Sequence, residues 1–185
     1  MSGRWFDEYA GDDPDVRAFV DALATAAEHD PPPVDPDDVW TLWLGACLYI
    51  AVPLPATGRF DEYTWIASDL EVCYRPVDRG RGVEAGWGDH ASPLDAWVDV
   101  HGGRLESKDP NRSPEQYADI VLRWLHQQLA RPLEVHGWTN APGDRIVLAD
   151  SGDVLARRGR QRWWRQPDLV RPLPLPPDST HAGPV

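Results

Sequence analysis

Cysteine, lysine and long apolar runs are all scarce in this chain of 185 residues, and each scarcity excludes something. The only cysteines are Cys47 and Cys73, each inside an apolar run. Two such thiols behave as small buried hydrophobes and imply a reducing, cytoplasmic setting, not a disulfide scaffold, although sequence separation says nothing of their distance in space. The longest apolar run, Leu42 to Pro55, falls well short of a bilayer crossing and contains Gly45, Pro53 and Pro55. Met1 to Glu8 lack the basic-then-apolar pattern of a secretory leader. Of the basic residues all but Lys108 are arginine; with abundant alanine, aspartate and proline this reads as GC-rich codon usage in a bacterial source. The phosphate-cradling patterns GxGxxG and GxxxxGK[ST] are absent, as are CxxC, HExxH and the GxSxG elbow. No cofactor and no metal is therefore expected.

What is present suffices for one folded domain. Hydrophobic residues make up 42% of the chain and ten are tryptophan, enough for a core that needs no metal or disulfide at this length. The formal net charge is −12, which disfavours nucleic acid, whose affinity comes mainly from neutralised phosphates. Charge is also segregated. Residues 1–40 hold eleven acids against Arg4 and Arg17, whereas residues 157–171 hold six arginines against Asp168.

Asp13-Pro14-Asp15 is a helix start, and Val16, Phe19, Val20, Leu23 and Ala27 follow at helical spacing up to the Pro31-Pro32-Pro33 stop. Residues 39–52 read as two strands around Gly45, on aromatic enrichment, with a helix as the alternative. Tyr63–Ala67 and Leu70–Pro76 continue the strand pattern, while residues 78–93, rich in glycine and charge, read as a loop. Leu94–His101 and Arg104–Ser107 form a predicted hairpin about Gly102-Gly103. Ser113-Pro114-Glu115-Gln116 is a capping box opening a helix to about residue 130. Leu133–Trp138, Arg145–Ala149 and Val154–Arg157 are predicted strands. The expected fold is α+β: one antiparallel sheet of six or seven strands, two helices on one face, a globular domain over residues 1–166 and a Pro-rich extended tail over 167–185.

Two sets of residues stand out as candidate sites. On a strand Asp99 and His101 share a face, and a tight hairpin would bring Glu106 beside them. Such a set suits acid–base chemistry or a divalent metal, although a solvated hairpin face yields the same residues without a ligand. Glu134-Val135-His136 repeats the carboxylate-x-histidine pattern, which lowers its weight. The other set is a pair of interaction surfaces: the acids Asp12, Asp13 and Asp15, and the adjacent Trp163 and Trp164 flanked by Arg160, Arg162 and Arg165. Tryptophan and arginine are favoured interface anchors; the same arginines could instead meet the acidic segment within the molecule.

In size, acidity and lack of a catalytic signature the chain is similar to bacterial immunity and inhibitor proteins, a likeness of composition that assigns no residue. The expected function is occlusion of a basic protein partner such as a toxin, with no role for membranes or nucleic acid. The alternatives are a small hydrolase using Asp99, His101 and Glu106, and a docking protein acting through the Pro-rich tail.

Overall fold

In the computed structural model, which describes residues 5–6, 12–54, 68–89, 97–159 and 166–173, both helices begin at the caps written into the sequence. Asp13 caps α1 (Pro14–His29), its carboxylate accepting from the backbone N–H groups of Asp15 and Val16 at 2.8 and 3.3 Å. Ser113 and Gln116 satisfy each other's backbone donors at the start of α2 (Pro114–Leu129). The two helices pack on each other, and α2 also touches the first sheet.

That sheet is antiparallel throughout. β1 (Trp40–Trp43) and β2 (Leu48–Val52) form a hairpin whose turn places Gly45 at φ +77°, a conformation open to glycine. β3 (Ser68–Arg75) and β4 (Gly82–Asp89) follow outward in order. The fifth position is shared by β5 (Trp97–Val98) and β6 (Leu105–Ser107), which both pair with β4 along one edge. Leu48, Ile50, Val52, Leu70, Val72, Tyr74, Val83, Ala85 and Trp87 alternate along β2, β3 and β4 into the core shared with both helices. Tyr74 is its centre: its ring stacks on Phe19 of α1 at 4.1 Å and meets Tyr117 of α2 edge-on at 5.8 Å.

β7 (Leu133–Trp138), β8 (Ala141–Leu148), β9 (Val154–Gly159) and β10 (Leu169–Pro172) form a second antiparallel sheet in the order β10-β7-β8-β9. Leu133, Val135, Ile146, Leu148, Leu155 and Ala156 join it to the same core.

Four expectations change. The strands divide between two sheets, not one, because alternation tells which face a residue occupies but not which strand lies beside it. Residues 82–89, expected as loop, are the interior strand β4, whose Val83, Ala85 and Trp87 point to the core while its glycines occupy the other face. The hairpin expected at Gly102-Gly103 is a single edge strand interrupted by an excursion over residues 99–104: β5 and β6 lie end to end against β4. The tail expected from 167 begins as β10, which extends the folded part to residue 173. The expected strand at Tyr63–Ala67, the start of the hairpin at 94–96 and the tail beyond 173 lie outside the described residues.

Candidate functional site

Asp99, His101 and Glu106 do not converge as a hairpin would have made them. Asp99 and His101 are exposed within the excursion, whereas Glu106 is exposed on β6, opposite Glu84 of β4 and 2.7 Å from Lys108. The excursion is held by backbone and amide contacts. Gln128 of α2 accepts from the Trp87 indole at 3.0 Å and donates to the Gly102 carbonyl at 3.1 Å. The His101 N–H donates to Asp153 at 2.9 Å, and Arg131 donates to the His101 carbonyl at 3.2 Å. Gly103 fits beneath Trp87, since a Cβ there would lie 2.6 Å from the ring. These are positioning contacts that leave the imidazole of His101 outside the network. The carboxylate-x-histidine repeat does meet: Glu134 and His136 lie 2.8 Å apart on β7, with Arg145 on the other ring nitrogen at 3.4 Å. Among the described residues no cluster of three or more His, Cys, Asp or Glu could hold a metal.

The first-sheet face turned away from the helices carries chemistry that the sequence reading missed. Tyr49, Asp69, Glu71 and Cys73 are all buried there, Glu71 to 1% exposure. Burial and the Glu71 carboxylate beside it push the Tyr49 hydroxyl well above its ordinary range. Glu71 lies flat on Gly88 of β4, where a Cβ would overlap its carboxyl group. The space is filled by the acid itself, which makes Gly88 a packing requirement. The signal in the sequence is an alternating Asp69-x-Glu71-x-Cys73 opposite a glycine-rich stretch whose composition also suits a loop.

Of the acids expected at an interface, two are spent inside the fold. Asp13 is the α1 cap. Asp15 accepts from the Tyr74 hydroxyl at 3.0 Å, the Val77 N–H at 3.1 Å and the Arg81 guanidinium, fixing the start of α1 to the β3–β4 connection. Asp12 remains at the surface, paired with Arg17 at 2.7 Å. Trp163 and Trp164, with Arg160, Arg162 and Arg165, lie outside the described residues.

The surface with an interaction character lies next along the chain. From Ala18 to Gly58 there is no lysine or arginine. Asp21, Glu28, Asp30, Asp35, Asp37 and Asp38 in that stretch are all exposed. Asp35 caps the short 3₁₀ turn Pro36–Asp38, presenting Asp37 and Asp38 immediately before edge strand β1. At the far end of β1, Leu42 and Leu44 are 43% and 41% exposed, beside exposed Gly45 and Ala46. An acidic margin thus leads into an apolar hairpin tip on the outermost described strand of the sheet.

Fold and surface define a two-sheet α+β protein with an acidic, apolar-tipped edge. Comparison with protein-family models, curated proteins and solved structures found no match in any of the three. No helix among the described residues is long and apolar enough to cross a membrane.

Proposed function

We propose that this chain is a small acidic cytoplasmic binding protein of the inhibitor or immunity type, which occludes a basic protein partner such as a bacterial toxin or enzyme. The observation that carries the reading is the cation-free stretch of residues 18–58, with its exposed acids and the exposed Leu42 and Leu44. Acids at the rim of a contact steer a basic partner and raise its association rate, while desolvated apolar anchors set how slowly it leaves. The acids that act are Asp35, Asp37 and Asp38, all exposed, in place of the half-buried Asp13 and Asp15.

The test is affinity capture from extracts of the source organism with three baits. These are the wild type, a Leu42→Asp/Leu44→Asp variant and an Asp35→Asn/Asp37→Asn/Asp38→Asn variant. The wild type should retain a basic protein that the apolar-tip variant releases. The acid variant should bind that protein with an association rate lowered roughly tenfold at low salt and little changed at high salt. A retained partner that is acidic, or one indifferent to both variants, overturns the reading.

A further inference from the structure

We propose that Cys47 and Cys73 are a covalent modification site, joined by peroxide into a reversible disulfide that ties the base of the β1–β2 hairpin to β3. This inference does not depend on the binding function.

Register supplies the first ground. Cys73 of β3 lies directly opposite Tyr49 of β2. Cys47 precedes Tyr49 by two residues, in the turn just before β2, which places it diagonal to Cys73. The second ground is placement: neither thiol belongs to the core beneath the helices, so both lie toward the opposite face of the sheet. Both are buried and free. Diagonal neighbours lie about 7–8 Å apart, beyond the reach of a relaxed disulfide, so closing the bond must draw the strands together. The exposed Gly45-Ala46 turn beside Cys47 is where the hairpin can yield.

The pair is chemically asymmetric. The neighbouring Cys73 thiol, aided by the Arg75 charge, lowers the Cys47 pKa against the cost of burial, whereas Cys47 and burial raise Cys73. Cys47, beside the exposed turn and 6% exposed against 2% for Cys73, is the attacking thiol and Cys73 the resolving one. In the first step the Cys47 sulfur attacks a peroxide oxygen, the O–O bond breaks, and one water leaves with a sulfenic acid on Cys47. In the second the Cys73 sulfur displaces the sulfenic oxygen as a second water, and the S–S bond forms. Two thiols lose two protons and two electrons; the peroxide takes up both. A thiol reductant reverses the change through a mixed disulfide.

The experiment treats the full-length folded protein with dilute hydrogen peroxide, followed by intact-mass measurement and a non-reducing peptide map. The expected product is a monomer lighter by about 2 Da, with the peptides holding Cys47 and Cys73 joined, no thiol titratable after unfolding, and full reversal by dithiothreitol. Its melting temperature should exceed that of the reduced protein by several degrees. Cys73→Ser should instead accumulate oxygen adducts on Cys47. Three results would overturn the proposal: independent over-oxidation of each thiol in the wild type, covalent dimers as the sole product, or thiols that stay reduced in the folded protein yet link once it is denatured. All three are read on the wild type, so a variant that fails to fold does not blunt the test.

Discussion

Asp15 shows how an acid on an acidic helix becomes structural. Its carboxylate collects donors from Tyr74, Val77 and Arg81, with side-chain exposures of 11% for Asp15 and 17% for Arg81. Removing one partner from an enclosed pair strands the other, so Asp15→Asn should cost about 3 kcal/mol in urea unfolding. Asp12→Asn, facing solvent with Arg17, should leave stability essentially unchanged; equal costs would refute the distinction. Glu84 gives a pH signature. Hydrogen bonds from Arg75 at 2.8 and 3.3 Å, then Lys108, hold its carboxyl down to about 2 against an ordinary 4.5. The folded value lies below the unfolded one, so the stabilisation is present above about 4.5 and is lost as pH falls toward about 2. Glu84→Gln should therefore be less stable than wild type by about 2 kcal/mol at pH 7 and equal to it near pH 2. A difference that persists at low pH would assign the cost to packing.

β4 is the element where sequence reading and structure part. Its glycines suit a loop by composition, yet Gly88 is small because Glu71 of β3 occupies the space where a side chain would stand. Gly88→Ala should cost more than about 3 kcal/mol. In a Glu71→Ala background the added cost should fall below about 1 kcal/mol, and equal costs in both backgrounds would separate the two residues. The helices were legible to within a residue or two because caps and stripes are local: Asp13-Pro14, Ser113-Pro114 and the spacing of Phe19 or Trp124 need no knowledge of neighbours. The β1–β2 break at Gly45 was legible for the same reason. What stayed hidden was non-local. Nothing within residues 94–107 says that both halves pair with β4 and not with each other. Nor does Leu169-Val170-Arg171-Pro172 announce that β7 accepts it as an edge. The Asp99, His101 and Glu106 candidate rested on the hairpin and loses its geometry with it, while Leu42 and Leu44 looked like ordinary strand residues until β1 proved to be an outer strand.

For the whole molecule, the question is what couples two sheets that share no ladder among the described residues. Besides the common core, two side chains among the described residues span the junction, Arg131 and Asp153. Arg131, just after α2, holds Asp150 with two bonds of 2.8 and 2.9 Å and reaches Ser151 at 3.1 Å in the β8–β9 turn, while donating to the His101 carbonyl of the first-sheet excursion. The guanidinium lowers the Asp150 pKa accordingly. Asp153 of the same turn receives the His101 N–H, so turn and excursion are tied from both sides. The molecule should then unfold as one cooperative unit, with near-ultraviolet dichroism, sensitive to buried Trp87, and far-ultraviolet dichroism giving the same midpoint. Arg131→Met keeps the apolar stem and removes the donors. It should lower stability by about 2 kcal/mol without splitting the transition. Native-state hydrogen exchange should show protection lost together at residues 99–104 and 150–153, because one group holds both. Loss confined to the β8–β9 turn would mean that the excursion is held by Gln128 and Trp87 alone, and that the sheets communicate only through the core.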